Sequence, residues 1–327
     1  MVATGIRVRQ ATNKIRAFNP LRDAQAVTDL MALAFGDSLG VDGALALAEM
    51  QRMARWRFLI GLFYCFNWGW MDSAPGFVWV EDGKVVGNVS LRPGTEYDSF
   101  FIGNVAVHPA YRGRGIGRAL MDAALDAVAM AGGDGWVGLE VREENVVARK
   151  LYEKLGFRSV GRTLHLLRQA GPWENEEPLR HPALRRVQSQ DSAVLLQLVR
   201  ATVPARHRAL LSLRKSDYEV GWGRTLDCWL SGRREAWWVI EEDAMITGAV
   251  RALRERGRRA NRLEVLVAPG WEGAFEDVLV RQGLSGIPRL CEKIVGIELP
   301  TSNPAMVAAL EKRGFQPERV LVQMRYH

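Results

Sequence analysis

Three glycines and three arginines lie together in the middle of the chain, after a short β-branched run. The glycines are Gly113, Gly115 and Gly117, and the apolar stripe of an amphipathic helix follows them. A helix N-terminus leaves backbone N–H groups unpaired and carries partial positive charge, and glycine lets a ligand approach that backbone closely. The loop is therefore suited to bind a phosphate or diphosphate. The cationic side chains around it are Arg112, Arg114 and Arg118.

The spacing of the glycines separates this loop from two common phosphate-binding motifs. A P-loop ends in Gly-Lys-Ser/Thr, and this sequence contains no such ending. A dinucleotide-binding fingerprint reads G-x-G-x-x-G/A, whereas residues 113–117 read G-x-G-x-G. Whether the motif is started at Gly113 or at Gly115, its last position holds neither glycine nor alanine. No His, Cys and Asp residues have the spacing of metal ligands, so we expect no metal site.

The pattern Arg112-x-x-Gly115-x-Gly117 resembles the acyl-CoA signature of the GCN5-related N-acetyltransferases (GNAT). The resemblance implies that acetyl-CoA is the cofactor and that backbone amides of the loop hold its diphosphate. It also implies that the preceding strand pairs with the pantetheine arm, with a backbone N–H near Val107 polarising the thioester carbonyl. The residues implied to bind the cofactor are Val105, Ala106, Val107, Arg112, Gly113, Arg114, Gly115, Ile116, Gly117, Arg118, Asn145 and Tyr152.

A second motif, at residues 139–157, supports the same resemblance. It reads Leu-Glu-Val-Arg on a strand, before a helix that contains Leu-Tyr and ends at Gly-Phe. Tyr152 matches the family's general acid. The unperturbed pKa of tyrosine, near 10, lies above that of a thiol, near 8.5, so this side chain can protonate a departing thiolate at neutral pH. The structural alternative is a tyrosine that packs with its hydroxyl group outward.

The general base is assigned by a narrower resemblance. In the branch of the family that acetylates protein N-termini, a glutamate at the position of Glu140 removes the proton from the amine through a water. An ordinary strand carboxylate, paired with an arginine such as Arg142, is the structural alternative, and Glu96 and Asp98 are alternative bases. Asn145 is implied to contact the pantetheine region, and asparagine is also a favoured N-cap.

The composition is that of an ordinary globular protein of two domains. The chain has 327 residues, of which 48% are apolar and 25% charged. Its net charge of +7 is spread over both halves, which argues against a nucleic-acid-binding domain, and only the arginines of residues 254–262 favour one. Three scattered cysteines form no disulfide pattern and indicate a reducing compartment. The N-terminus shows no signal-peptide pattern, so we expect a cytoplasmic protein.

Hydrophobic periodicity predicts the elements that position these residues. A helix capped by Asp23 follows the first strand, and Asp82-Gly83 joins two strands as a hairpin. The apolar run 58–70 is too short to span a bilayer. It packs on the sheet, lines the acceptor site, or contacts a membrane or second subunit. The predicted strands are residues 14–18, 77–81, 85–91, 100–107, 136–141 and 157–167, the last of which closes the first domain.

The pattern of strands and helices repeats in the second half of the chain. The second copy keeps Glu298 and Asn303 at the positions of Glu140 and Asn145, but it has a leucine where the first has Tyr152. Its loop lacks R-x-x-G-x-G and carries Glu272, whose charge repels phosphate. We therefore expect a second copy without a cofactor site. The predicted divisions are a catalytic domain at 1–170, a linker at 171–183 and a degenerate domain at 184–327.

Together these patterns predict a protein of the α/β (α+β) class. Its two tandem acyl-CoA N-acyltransferase domains each contain a mixed, mostly antiparallel sheet flanked by helices. The predicted activity is direct transfer of an acetyl group from acetyl-CoA to a primary amine of a small molecule, peptide or protein N-terminus. The alternative is a non-catalytic acyl-CoA-binding sensor or regulatory protein. We expect a monomer or homodimer with no nucleic-acid partner and no membrane span.

Overall fold

The computed structural model divides the chain into two compact units. The first comprises Met1–Ser159 together with Gln323–His327, and the second comprises Val160–Val322. The apolar run 58–70, Glu96, Asp98 and residues 256–259 lie outside the described residues, as does most of the predicted linker. The described residues are 14–36, 48, 76–94, 99–131, 135–172, 181–202, 215–230, 232–255, 260–287, 290–291, 293–300 and 303–326.

The first unit is built on a mixed sheet. Its strands are β1 (Ile15–Ala17), β2 (Phe77–Glu81), β3 (Lys84–Pro93), β4 (Phe100–Val107) and β5 (Val137–Arg142). They lie side by side in chain order, antiparallel except for the parallel pair of β4 and β5. Its helices are α1 (Pro20–Phe35), α2 (Ile116–Met130) and α3 (Val146–Lys154).

Helix α1 begins at Pro20 because Asn19 caps it. The Asn19 side chain accepts hydrogen bonds from the backbone of Leu21 and Arg22, at 3.0 and 3.3 Å, and proline suits the first helical position. The expectation that Asp23 is the cap is therefore wrong. Asp23 is buried instead, and its carboxylate pairs with Arg16 at 2.7 Å.

The predicted hairpin is confirmed, with Asp82 and Gly83 both in the left-handed region at φ 49° and 75°.

On the next strand, a Cβ added at Gly87 would lie 2.9 Å from Leu120 of α2, so glycine lets the helix pack closely on the sheet. The second unit repeats this arrangement, because a Cβ at Gly248 would lie 2.9 Å from Leu279.

The second unit contains a sheet of similar construction. Its strands are β6 (Phe157–Arg168), β7 (Gly171–Pro172), β8 (Leu184–Arg186), β9 (Arg234–Glu242), β10 (Met245–Arg254), β11 (Asn261–Val267), β12 (Leu290–Cys291), β13 (Val295–Pro300) and β14 (Gln316–Tyr326). Residues 157–159 of β6 and 323–326 of β14 belong to the first unit. The main sheet runs β6-β13-β11-β10-β9-β8, and β7 pairs with β12. Its helices are α4 (Ser192–Thr202), α5 (Trp222–Leu230), α6 (Glu276–Ser285) and α7 (Pro304–Glu311).

Strand β6 follows the first copy along the chain but lies mostly in the second unit, and β14 follows the second copy but ends in the first unit. Strand β6 pairs with β13, from Thr163 opposite Pro300 to Arg168 opposite Val295, which corrects the expectation that residues 157–167 close the first domain. Residues 323–327 belong to the first unit. The two copies share one hydrophobic pattern, so periodicity does not tell which partner strand each will choose. The boundaries at residues 170 and 184 describe where each copy begins and ends in the sequence, and they stay a prediction.

Across the described ranges, no helix is both long and apolar enough to cross a bilayer.

Candidate active site

Strand β4 parts from its neighbour β5 partway along its length. The parallel register between them runs from Phe100 opposite Val137 to Ile102 opposite Leu139. Beyond this point β4 continues in register with β3, where Ala106 lies opposite Asn88. The two parallel strands therefore part on the segment that contains Val105, Ala106 and Val107, and this segment leads directly into the glycine loop.

A bulge at Asn104 marks the place where the strands part. Asn104 has a left-handed backbone, with φ 52°, and the register between β3 and β4 shifts between Asn88 and Ser90. Buried Asn88 holds the bulge by donating from Nδ2 to the Asn104 carbonyl, at 2.9 Å. No predicted role attached to these two asparagines, although a polar residue within each apolar strand was a visible signal.

The loop before α2 takes a conformation that glycine favours at two positions. Gly113 and Gly115 have φ values of 78° and 77°, where a side chain would be strained. A Cβ at either position would meet no atom of the described residues within 4 Å. These glycines therefore serve the backbone conformation, and among the described residues nothing occupies the space in front of them.

Helix α2 begins directly after these glycines and leaves backbone N–H groups at its first turn without intrahelical partners. The first hydrogen bond of the helix runs from Ala119 to the Gly115 carbonyl, at 3.0 Å. The N–H groups of Ile116, Gly117 and Arg118 precede it and have no intrahelical acceptor by the geometry of an α-helix. Gly115 caps the helix without any side-chain hydrogen bond. The helix dipole adds positive potential at this end, as an anion site requires, and the binding of a diphosphate here stays a prediction.

The arginines of the loop contact backbone and a neighbouring ring. Arg112 donates from Nε to the Val107 carbonyl at 3.2 Å and from Nη2 to the Ala34 carbonyl at 3.4 Å, tying the loop to β4 and α1. Arg114 lies over the Tyr111 ring, 4.9 Å from its centroid. All three predicted arginines are exposed, and Arg118 lies 3.7 Å from Asp122 one turn along α2. Their contact with a cofactor stays a prediction.

Tyr152 is buried on α3, with 6% of its surface exposed. Its ring centroid lies 6.1 Å from that of Phe157. Desolvation raises the pKa of the Tyr152 hydroxyl to about 12, because burial penalises the phenolate. The side chain thus does not extend outward into water, contrary to the structural alternative, and it keeps its proton throughout the neutral range.

Glu140 is exposed on β5, and one of its contacts comes from a distant part of the chain. Its Oε1 accepts a hydrogen bond of 3.2 Å from Nε2 of Gln323, near the end of β14. Arg142, the alternative partner, forms an ion pair with Glu144 at 3.1 Å. Gln323 was missed by the sequence analysis, because no local motif connects it to Glu140.

Asn145 caps α3, as one of its two predicted roles requires. Its Oδ1 accepts from the Ala148 backbone at 3.1 Å. The other role, contact with the pantetheine region, stays a prediction. A Cβ placed at Gly117 would lie 3.6 Å from Leu151 of α3 and 3.7 Å from Val107 of β4. The structure therefore brings the two sequence motifs together at the start of α2.

The corresponding loop of the second unit contains a carboxylate of the protein itself. Glu276 begins α6 at the position that Ile116 takes in α2, and it is 2% exposed. Its two carboxylate oxygens each lie 2.9 Å from the Gly273 backbone nitrogen, and Oε2 lies 3.2 Å from that of Phe275. Asn303 donates to Oε1 at 3.3 Å.

The glutamate that fills this loop is not the one that the sequence analysis chose. Glu272 is exposed and accepts a hydrogen bond of 2.7 Å from the Gly270 backbone. Buried Glu276 instead accepts from the backbone N–H groups of Gly273 and Phe275, the residues that lead into α6. Among the described residues, no group of three or more His, Cys, Asp and Glu side chains is arranged to hold a metal ion.

The sequence of residues 45–157 matches the model of the acetyltransferase (GNAT) family. The chain is 42% identical over 86 residues to the N-alpha-acetyltransferase RimI of Mycobacterium tuberculosis, covering 26% of this chain and 50% of the relative. It is 34% identical over 146 residues to a mycothiol acetyltransferase of Thermobispora bispora, covering 44% and 46%. The chain thus spans half or less of the length of these curated relatives.

Two solved structures are similar to almost the whole chain. A GCN5-related N-acetyltransferase from Sphaerobacter thermophilus superposes with a TM-score of 0.65 at 18% identity, covering 95% of this chain and 94% of the other. A tandem GNAT protein from the clavulanic acid biosynthesis pathway gives a TM-score of 0.62 at 18% identity, covering 95% and 97%. These likenesses confirm the predicted fold class, a tandem arrangement of mixed α/β domains.

Proposed function

We propose that the first unit of this chain, in which residues 45–157 match the acetyltransferase (GNAT) family model, transfers an acetyl group from acetyl-CoA directly to a primary amine. The observation that carries the proposal is the open glycine loop at the start of α2, beside the diverging end of β4. The relatives named as acetyltransferases support the reaction class. The acceptor is a small molecule or a protein N-terminus.

The residues of the loop fit a diphosphate. Its glycines leave an open approach to N–H groups that the helix does not use, and the surrounding arginines add positive charge. In the proposed complex, Arg112–Arg118 hold the diphosphate, the strand segment Val105–Val107 pairs with the pantetheine arm, and Asn145 contacts that arm while capping α3. Bound acetyl-CoA supplies a thioester carbonyl that an amine attacks. A backbone N–H near Val107 donates to that carbonyl and polarises it.

In this proposal, Tyr152 protonates the departing thiolate. The raised pKa of its hydroxyl keeps the proton on the phenol, so the group acts as an acid at neutral pH. Glu140 accepts the proton of the attacking amine, through a water. Its exposure on β5 supports this role, because an external amine or water can reach the carboxylate.

The second unit, in this proposal, is a degenerate copy without a cofactor site. Glu276 occupies the N–H groups of its loop, and Leu310 stands where the first copy has Tyr152. The protein therefore has one site for acetyl-CoA. We place it in the cytoplasm, the reducing compartment that the scattered cysteines indicate.

Two measurements on the intact protein test the proposed function. Calorimetry with coenzyme A should detect binding, and a panel of primary amines should include at least one that releases free coenzyme A from acetyl-CoA. The absence of any affinity for coenzyme A would refute the cofactor site. Binding without turnover across a broad panel would favour the alternative function, a non-catalytic acyl-CoA sensor.

A further inference from the structure

The end of β14 supplies a side chain to the carboxylate proposed as the general base. Gln323 belongs to the first unit although residues 160–322 separate it from the rest of that unit. It is completely buried and donates from Nε2 to Glu140 Oε1 at 3.2 Å. A buried donor that points at an exposed carboxylate limits the orientations which that carboxylate can take.

The second unit contains the matching pair with a different partner. Glu298 corresponds to Glu140, and His165 corresponds to Gln323, at one constant spacing along the chain. His165 lies opposite Glu298 in the register of β6 and β13, with Nδ1 3.6 Å from Glu298 Oε1. The exchange of strands therefore places a glutamine beside Glu140 and a histidine beside Glu298.

The difference between the two partners matters for a base. An amide N–H donates a hydrogen bond but carries no charge and takes up no proton near neutral pH. An imidazole titrates near neutral pH and competes for the proton that a base must accept. Gln323 thus orients the Glu140 carboxylate and leaves proton transfer to the carboxylate itself, which has further lone pairs for a water.

The same strand also packs behind the proposed acid. The Tyr326 ring centroid lies 5.3 Å from that of Phe157, which in turn lies 6.1 Å from Tyr152. Met324, between Gln323 and Tyr326, is fully buried. The end of β14 therefore contacts the surroundings of both side chains that the proposed function uses.

We propose that Gln323 is a positioning residue for the reaction, holding the Glu140 carboxylate in the orientation that accepts the amine proton. This inference rests on the proposed function of Glu140. It gives Gln323 a role in the first unit, although this residue follows the whole second unit in the sequence.

The test compares Gln323→Leu with the intact wild-type chain, using an amine that the release assay identifies. We expect kcat to fall about tenfold, the effect of losing one hydrogen bond to a charged group. The KM for acetyl-CoA, the affinity for coenzyme A and the melting temperature should stay close to the wild-type values. Gln323→Glu keeps the side-chain shape but repels Glu140, and it should lower kcat at least as far.

The matched control is His165→Leu, which removes the same contact from Glu298 in the second unit and should leave kcat unchanged. Glu140→Gln tests the general-base role of Glu140 separately from the positioning role of Gln323. If Glu140→Gln leaves kcat intact, the general-base role fails, and with it the inference. If Glu140→Gln lowers kcat while both Gln323 variants match the wild type, the positioning role alone is overturned. A parallel loss of coenzyme A affinity and melting temperature in both Gln323 variants would also overturn it, by indicating a purely structural role.

Discussion

At the scale of single residues, burial decides what Tyr152 can do. The desolvation that raises its pKa to about 12 favours the neutral hydroxyl over the phenolate. The raised pKa keeps the proton on the hydroxyl at neutral pH, but it also makes the phenol a weaker acid than a thiol, whose unperturbed pKa is near 8.5. The burial of the ring, with Phe157 at its side, thus gives the hydroxyl the protonation state that a general acid needs.

Replacing Tyr152 by phenylalanine should remove the acid and keep the packing of the ring. We expect kcat to fall by about 10²–10³-fold, a typical contribution of a positioned acid. The affinity for coenzyme A, measured by calorimetry, should change less than about twofold because no loop residue is altered. An unchanged kcat would assign Tyr152 a packing role only.

The raised pKa also predicts the pH dependence of the reaction. Tyr152 stays protonated up to about pH 11, since its pKa of about 12 lies a unit higher. The rate should therefore rise with pH as the base and the amine lose protons, without a falling limb from Tyr152 between pH 6 and pH 10. Measuring kcat over that interval checks this, and a decline that disappears in Tyr152→Phe would contradict it.

At the scale of elements, the turn between β4 and α2 depends on backbone conformation. Gly115→Glu adds a side chain at φ 77° and places a negative charge at the proposed diphosphate site. We expect the affinity for coenzyme A to fall by about a hundredfold or more, as repulsion between like charges in an interface costs several kcal/mol.

Gly83→Glu is the matched control for this change. Gly83 has nearly the same φ, 75°, and open space around its Cβ position, but it lies in the β2–β3 turn. The control variant should bear the same backbone strain and bind coenzyme A normally. Equal losses in the two variants would trace the effect to strain and remove the evidence for a diphosphate at Gly115.

The start of α6 shows how one side chain can replace a ligand. Glu276→Gln removes the charge that three hydrogen-bond donors share, and it should destabilise the protein by about 1.5–3 kcal/mol. Urea unfolding followed by tryptophan fluorescence is a suitable measurement, because Trp271 stacks on Phe275 beside this carboxylate, with centroids 5.4 Å apart. Glu272→Gln, on the exposed side of the same loop, should change stability by less than about 0.5 kcal/mol. Equal effects would contradict the buried role of Glu276.

Local patterns predicted much of the fold and of the candidate site. The hairpin at Asp82-Gly83, the glycine turn before α2 and the Asn145 cap follow from short-range stereochemistry, so their residues were visible in the sequence. The bulge at Asn104 and the contact of Gln323 with Glu140 depend on which strands pair. Strand pairing joins residues that are far apart in the sequence. Because both copies have the same hydrophobic pattern, the pattern does not determine which strands pair.

At the scale of the whole molecule, the proposed function gives a cofactor site to the first copy alone. Calorimetry should therefore titrate one coenzyme A per chain in the wild type. The reason is that the carboxylate of Glu276 already satisfies the donors of the second loop. A measured ratio of two would contradict the assignment of the second copy as degenerate.

The late position of Gln323 and Tyr326 has a consequence for biosynthesis. On the ribosome, every residue of Val160–Val322 is translated before the last stretch of the first unit exists. Domains of a nascent chain generally fold as units, starting from the N-terminal one. Here the unit that emerges first cannot be completed first, so the proposed acetyl-transfer site is complete only after translation has passed through the second unit.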